Sequence, residues 1–409
     1  MAVRTPPTPT STCGASSSAG CSIKAATPWR RRSGAAALAL SLLLFGSQTA
    51  ASGLWEKLKD PEDGWLDGSR FLLDGRFTFL PVPIIISEPA VDGGLGLAGV
   101  FFHRRPESET RESDVYERPS LSAIAGAYTG NESWFAGAGH LGIWREDTLH
   151  YRGGVGYTSV NLEYYGTELL PIDQGLDFNT EGVLVMQELL ARIGDSRWMV
   201  GGRWLFTKLD ITFDTGGPVP GVDPLERDFQ DSGAGLVVEY ERLDSTFTPS
   251  VGNFLRLQAL WHDENLGGDF DYGEYLGRYL HYFQFGKVVL GTRLEARDIE
   301  GRAPFIMAPY ISLRGIPTLR YQGSTVVTGE VETRWDFHPR FSAVGFVGAG
   351  RAAEGFDDLG SSPNRVAGGV GFRYLMARLM GLRLGVDVAR GPEDWAFYLT
   401  IGSAWPTSR

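Results

Sequence analysis

Cysteine is almost absent from this chain of 409 residues: there are two, Cys13 and Cys21, both near the N-terminus. If the leader is removed, the mature chain has no thiol, which excludes disulfide staples and cysteine chemistry. Long apolar runs are also missing. The longest, Ala35 to Phe45, is about eleven residues, too short for a spanning helix of ~20. Basic residues are the minority. The leader holds Arg4, Lys24, Arg30, Arg31 and Arg32 and no acid, so the remainder carries 33 basic against 49 acidic residues, a net −16. Such a surface argues against nucleic acid as a partner.

Catalytic signatures are equally scarce. The histidines (103, 140, 150, 262, 281, 338) lack the spacing of a metal site, and no Gly-x-Ser-x-Gly elbow or phosphate loop occurs. Asp214-Thr215-Gly216 and Asp231-Ser232-Gly233 resemble aspartic-protease turns, but seventeen residues leave no room for a lobe between them. Glu330 and Glu332 on one strand face would stand ~6.6–7 Å apart, near the inverting-glycosidase range. Arg334 beside them favours ionised, salt-bridged carboxylates over a general acid. Asp60, Glu62, Asp63 and Asp67 miss the alternate-ligand pattern of a calcium loop and read as a solvated turn. No enzyme and no cofactor is expected.

What the chain has is glycine, 54 residues, aromatics at 12%, and alternation. Arg30-Arg31-Arg32, the apolar run and the small residues Ser47 to Ser52 have the layout of a secretory signal peptide. Residues 1–51 are therefore expected to be a long leader, 52–78 a short periplasmic segment, and 79–409 a barrel domain. Ser18-Ala19-Gly20-Cys21 has the look of a lipoprotein box but precedes the apolar run, so it is set aside.

From residue 79 onward, period-2 alternation marks sixteen candidate strands: 79–88, 93–104, 119–128, 132–144, 147–160, 179–193, 196–210, 231–243, 253–264, 269–284, 286–299, 324–337, 340–352, 364–377, 379–390 and 394–405. Val288, Leu290, Thr292, Leu294 and Ala296 share one face, with Arg293, Glu295 and Arg297 on the other. Val327, Val331, Trp335 and Phe337 oppose Glu330, Glu332, Arg334 and Asp336. Leu382, Leu384, Val386 and Val388 are followed by Trp395, Phe397, Leu399, Ile401 and Trp405. With no spanning helix, a closed sheet is the other backbone arrangement that satisfies its hydrogen bonds in lipid. The fold class read from this is all-β, a 16-stranded antiparallel transmembrane β-barrel with lipid outside and a charged lumen. Arg373, Arg383 and Asp387 join the charges expected inside. Trp144, Trp261, Trp335, Trp395 and Trp405 are expected in interfacial girdles. Connections alternate between short and long, except at 105–118.

The stretch from Gly301 to Arg320 contains Leu313-Arg314-Gly315-Ile316. This resembles the Val/Leu-Arg-Gly-aromatic motif of the BamA/TamA-like outer-membrane barrels. Tyr164-Tyr165-Gly166, in an expected long loop to Phe178, resembles an aromatic-glycine loop of related barrels. The resemblance implies that the motif loop folds into the lumen and that Arg314 meets Glu332. Gly348 stands where many members carry aspartate, which leaves one carboxylate partner in place of two, and Ile316 is not aromatic. Residues 52–78 cannot hold the periplasmic repeats usual in that family. The role implied is assistance to outer-membrane biogenesis, inserting or translocating protein or lipid through a weakly zipped seam. Pro81 and Pro83 in the first strand cannot donate to a ladder. The implied partners are outer-membrane lipids, client membrane proteins and a separate periplasmic protein. The alternatives are a passive solute channel and a structural surface antigen.

Overall fold

The computed structural model describes residues 59–69, 79–103, 120–166, 171–214, 219 and 227–405. The leader, its cleavage point and the charged connection at 105–118 lie outside them. Sixteen strands form one antiparallel sheet in chain order, each bonded to the next. They are β1 Phe79–Ile86, β2 Gly94–His103, β3 Ser120–Thr129, β4 Trp134–Trp144, β5 Leu149–Gly166 and β6 Pro171–Arg192. Next come β7 Trp198–Phe213, β8 Asp228–Leu243, β9 Gly252–His262, β10 Tyr272–Phe285 and β11 Val288–Gly301. The last are β12 Thr325–Trp335, β13 Phe341–Ala353, β14 Arg365–Ala377, β15 Leu382–Arg390 and β16 Trp395–Ile401. No helix among the described residues is long and apolar enough to cross a membrane.

The alternation sorts side chains as expected. On β12, Val327, Val331 and Trp335 face out, while Glu330 and Arg334 are buried inside. Register sets Arg293 opposite Glu330, an opposite-charge pair on the inner face, worth ~0.2–1 kcal/mol. The outer face exposes Leu95, Leu236, Leu294, Val347 and Val370 around the sheet. In water such a surface would be an aggregation hazard; against lipid it is required. On β15, Val386 and Val388 are exposed while Arg383 and Asp387 are buried. Val386→Arg should therefore cost ~2–4 kcal/mol near mid-membrane, read as a lower conversion temperature of the cold-detergent form on gels. An unchanged temperature would contradict the assigned facing.

Two expectations about strand ends need correction. Within the expected long loop between Val160 and Phe178, residues 161–166 and 171–178 are strand: β5 and β6 run 18 and 22 residues, well beyond the ~9–11 that cross a bilayer. Leu162 pairs with Phe178 and Tyr164 with Leu176, so the aromatic-glycine segment continues the ladder. Its reason is burial. Tyr164 and Phe178 pack with Phe213, Phe229, Phe270 and Phe305 in an aromatic cluster that closes the long-loop end, as a soluble core would. The second correction concerns the C-terminus. β16 ends at Ile401, and Gly402 takes φ +77°. The chain then turns inward, and Trp405 is 6% exposed among Phe254, Leu280, Tyr282 and Val289. Trp405 is thus no girdle residue. Trp144, Trp261, Trp335 and Trp395 are exposed on the outer face.

The acidic segment before the barrel is also not a solvated turn. Arg340, in the short connection after β12, is fully buried. It donates to Asp63 at 2.5 Å, to Asp67 at 2.6 Å and to Asp60. Arg378 adds ion pairs to Asp60 at 3.0 Å and to Glu62. The amide of Gly68 donates to Met376 O at 2.7 Å. Residues 59–69 are clasped to the short turns after β12 and β14. The Arg340 guanidinium holds the Asp63 carboxyl below its ordinary value. Burial works to raise Asp67, but hydrogen bonds from Ser69 and Arg340 outweigh it and lower its value too. A carboxylate depressed in the folded state stabilises fully above its unfolded pKa of about 4 and loses that contribution as pH falls through the folded value. The clasp should hold at neutral pH and weaken progressively as pH falls from about 4 through the depressed folded values. Exchange protection of the Gly68 amide, corrected for intrinsic rate, checks this; protection that persists to about pH 2 would contradict it.

Candidate functional site

The loop 302–324 between β11 and β12 enters the barrel. Gly301 (φ +108°) turns it away from the ladder, and Phe305 anchors it in the upper aromatic cluster. Ile311 donates to Tyr321 O at 3.0 Å, closing a narrow hairpin. Below this, Ile311, Leu313 and Ile316 pack with Val326, Ala352 and Ala367. Apolar Ile316 therefore fills a core position. The aromatic surface near Arg314 comes from the sheet instead: its guanidinium stacks 3.5 Å from the Phe346 ring centroid.

Arg314 reaches three carboxylates, not the single one expected. It donates to Glu330 at 2.8 Å, to Glu332 at 2.7 Å and to Asp387 at 2.8 Å. Asp387 arrives from β15 and is also gripped by Arg373 at 2.9 Å. Glu330, not Glu332, is the hub. It also accepts from Arg293 at 3.1 Å and from the Trp405 indole at 2.8 Å. The glycine at 348 has a packing cause, since a Cβ there would stand 2.5 Å from Leu313 Cδ2. A side chain at 348 would have to displace Leu313 from its seat. Gly315 (φ +99°) lets the chain turn against β15, where a Cβ would lie 2.9 Å from Gly391 N.

The other charges expected inside all face the lumen. Arg278 and Arg297 flank Glu295 at 2.6 and 2.8 Å. Arg334 bonds Asp336 at 3.1 Å and Ser250 at 2.7 Å. Arg383 bonds Ser342 at 2.8 Å and lies 3.4 Å from Asp336, away from the loop. Arg278 itself was not singled out by the sequence, nor was a second network. There Arg256, wholly buried, bonds Glu188 at 2.5 Å and Glu239, and Arg152 bonds both at 2.7 and 2.9 Å. The signal available was parity: Arg256 shares the face of inward Phe254 and Gln258.

The sheet does not close with a ladder. Among the described residues, no backbone hydrogen bond joins β1 to β16. Just past β1, the Ser87 hydroxyl accepts from the Leu399 amide of β16 at 3.2 Å. Loop 302–324 touches both sides. Gly315 N donates to Tyr398 Oη at 2.9 Å on β16, and Thr318 N donates to Glu88 at 3.1 Å just past β1. Arg320 pairs with Glu393 at 2.8 Å beside β16. The loop is a latch over an unzipped seam.

A sixteen-stranded antiparallel sheet, apolar outside and charged inside with an inserted loop, is the fold of outer-membrane β-barrels. Among solved structures it is similar to BamA from Haemophilus ducreyi lacking POTRA domains 1-3. The TM-score is 0.53 at 12% identity, covering 86% of this chain and 81% of that one. It is also similar to CdiB from Acinetobacter baumannii, with TM-score 0.51 at 13% identity, covering 79% of this chain and 59% of that one. At these identities the likeness is one of fold. No family model and no curated protein sequence matches the chain.

Proposed function

We propose that this chain is an outer-membrane barrel that assists outer-membrane biogenesis, passing protein or lipid sideways through the seam between β1 and β16. The observation that carries this reading is the seam itself: two strand edges without a ladder, held by a loop that bonds both. Unpaired edges cost backbone hydrogen bonds, and a barrel with no use for an opening has no reason to keep them. Pro81 and Pro83 weaken one edge by lacking donors. β16, at seven residues, is shorter than a full span. The passive-channel reading has less support, because ion-pair networks and the aromatic cluster occupy the lumen. The partners under this reading are outer-membrane lipids and client membrane proteins. A separate periplasmic protein would meet the short-turn end, where residues 59–69 dock.

Two measurements test it together. Deletion should impair assembly of other barrels or outer-membrane lipid organisation, and the purified protein should give no solute-dependent conductance in planar bilayers. Steady conductance with intact assembly would overturn the reading in favour of a channel. Neither effect would leave a structural surface protein.

A further inference from the structure

Seam, latch and C-terminal segment together enclose a cavity of about 440 Å3. Ser87 and Glu88 border it from the β1 side and Leu399 from β16, while Arg278, Arg293 and Arg297 line its inner wall. These three arginines share one carboxylate. Glu295 accepts from Arg278 Nε at 2.6 Å and from Arg297 Nε at 2.8 Å, and lies 3.6 Å from Arg293. Arg293 spends one terminal nitrogen on Ser312 O and Glu330, and its Nε is buried without a partner. Glu330 is already held by Arg314 and Trp405, and Glu88 accepts from Thr318 N. Glu330 is thus divided between Arg293 and Arg314, and Glu88 is the other carboxylate on the cavity lining.

Arg278 is 8% exposed. Among the described residues, its terminal nitrogens and those of Arg297 have no hydrogen-bond partner. Directly across the ladder from Arg278 stands Arg256, whose carboxylates Glu188 and Glu239 also serve Arg152. Like charges directly opposite in a sheet repel, and buried donors without an acceptor are costly. The terminal nitrogens of Arg278 and Arg297 are such donors at the cavity wall, open to an anion.

We infer that the seam cavity is a binding site for a phosphate group, held by Arg278 and Arg297 with Arg293 behind them. Guanidinium forks match a tetrahedral oxyanion through paired, charge-assisted bonds. The volume falls within the ~300–1,000 Å3 of ordinary ligand pockets. Because the cavity reaches both edges of the seam, the phosphate has two possible sources: the headgroup of a phospholipid entering between β1 and β16, or free phosphate. The site stands whether or not the barrel serves biogenesis, since binding is a property of the purified protein.

The test uses the full purified barrel in uncharged detergent at constant ionic strength. Inorganic phosphate and a short-chain phosphatidic acid are titrated in separate arms by calorimetry. Binding is expected, and Arg297→Gln should weaken it about tenfold, the loss of one strong charge-assisted contact. Arg297 is a third exposed and, among the described residues, bonds Glu295 alone, so this variant should keep its heat-modifiability. Arg278→Gln should weaken binding further; if it does not fold, Arg297→Gln decides alone. Phosphatidic acid binding about tenfold or more tighter than phosphate identifies a lipid headgroup as the ligand, and equal affinities identify the free anion. No binding of either probe at millimolar concentration, or unchanged affinity in Arg297→Gln, would overturn the inference.

Discussion

Arg314→Ala should release loop 302–324 from the lumen. The guanidinium is the point where β12 and β15 are tied through Glu330, Glu332 and Asp387. Its removal leaves Glu332 without an ion pair among the described residues, whereas Glu330 keeps Arg293 and Asp387 keeps Arg373. Breaking a buried ion pair from one side costs on the order of 3–5 kcal/mol, and less where water or a second cation reaches the orphan. Arg314→Lys should rescue little, because a single ammonium cannot reproduce a planar fork directed at three acids. Glu332→Ala should be milder than Arg314→Ala, since that side chain is 18% exposed and accepts one bond. The double variant should be little worse than Arg314→Ala, as members of one network do not add. Protease digestion from outside intact cells and the conversion temperature on gels read both effects. Fully additive losses, or an unaltered loop in Arg314→Ala, would reject the latch.

Trp405→Ala is expected to destabilise the barrel by about 3–5 kcal/mol, the usual cost of deleting a buried aromatic. The indole fills the space above Gly291, where a Cβ would stand 2.9 Å from its ring, and packs among Phe254, Leu280 and Tyr282. Its N–H is also one of the donors on Glu330. Trp405→Phe separates the two contributions, keeping most of the packing and losing the hydrogen bond at about 1 kcal/mol. Denaturant midpoints in neutral detergent measure both. A lipid-facing tryptophan would tolerate alanine with little loss, so a small effect in Trp405→Ala would contradict its burial.

Much of this was legible in the sequence, and the exceptions share a cause. Strand positions and facing in β11, β12 and β15 could be read because a sheet with lipid on one side and charge on the other imposes strict alternation, as at Leu294 beside Arg293 and Glu295. The loop and its arginine could be read from the motif. The contacts that failed to show are those formed across long separations. Asp387 is 73 residues from Arg314, and Asp60 is 280 from Arg340. Alternation says that each points inward or sits in a turn, but not which partner it meets. Trp405 continues the β16 parity on paper; Gly402 breaks it in space. The β5–β6 hairpin escaped for the opposite reason. Above the membrane its strands bury Tyr164 and Phe178 against the loop, so the polarity rule that marks a spanning strand no longer applies.

Under the proposed function, the seam must open for the protein to work. Ser87→Cys with Leu399→Cys, linked by a short bifunctional thiol reagent, would tether β1 to β16 where the edges already touch. The account predicts that the tethered protein stays folded and heat-modifiable yet fails to complement a deletion strain, while the same double variant left untethered complements it. Full complementation by quantitatively tethered protein would contradict the account.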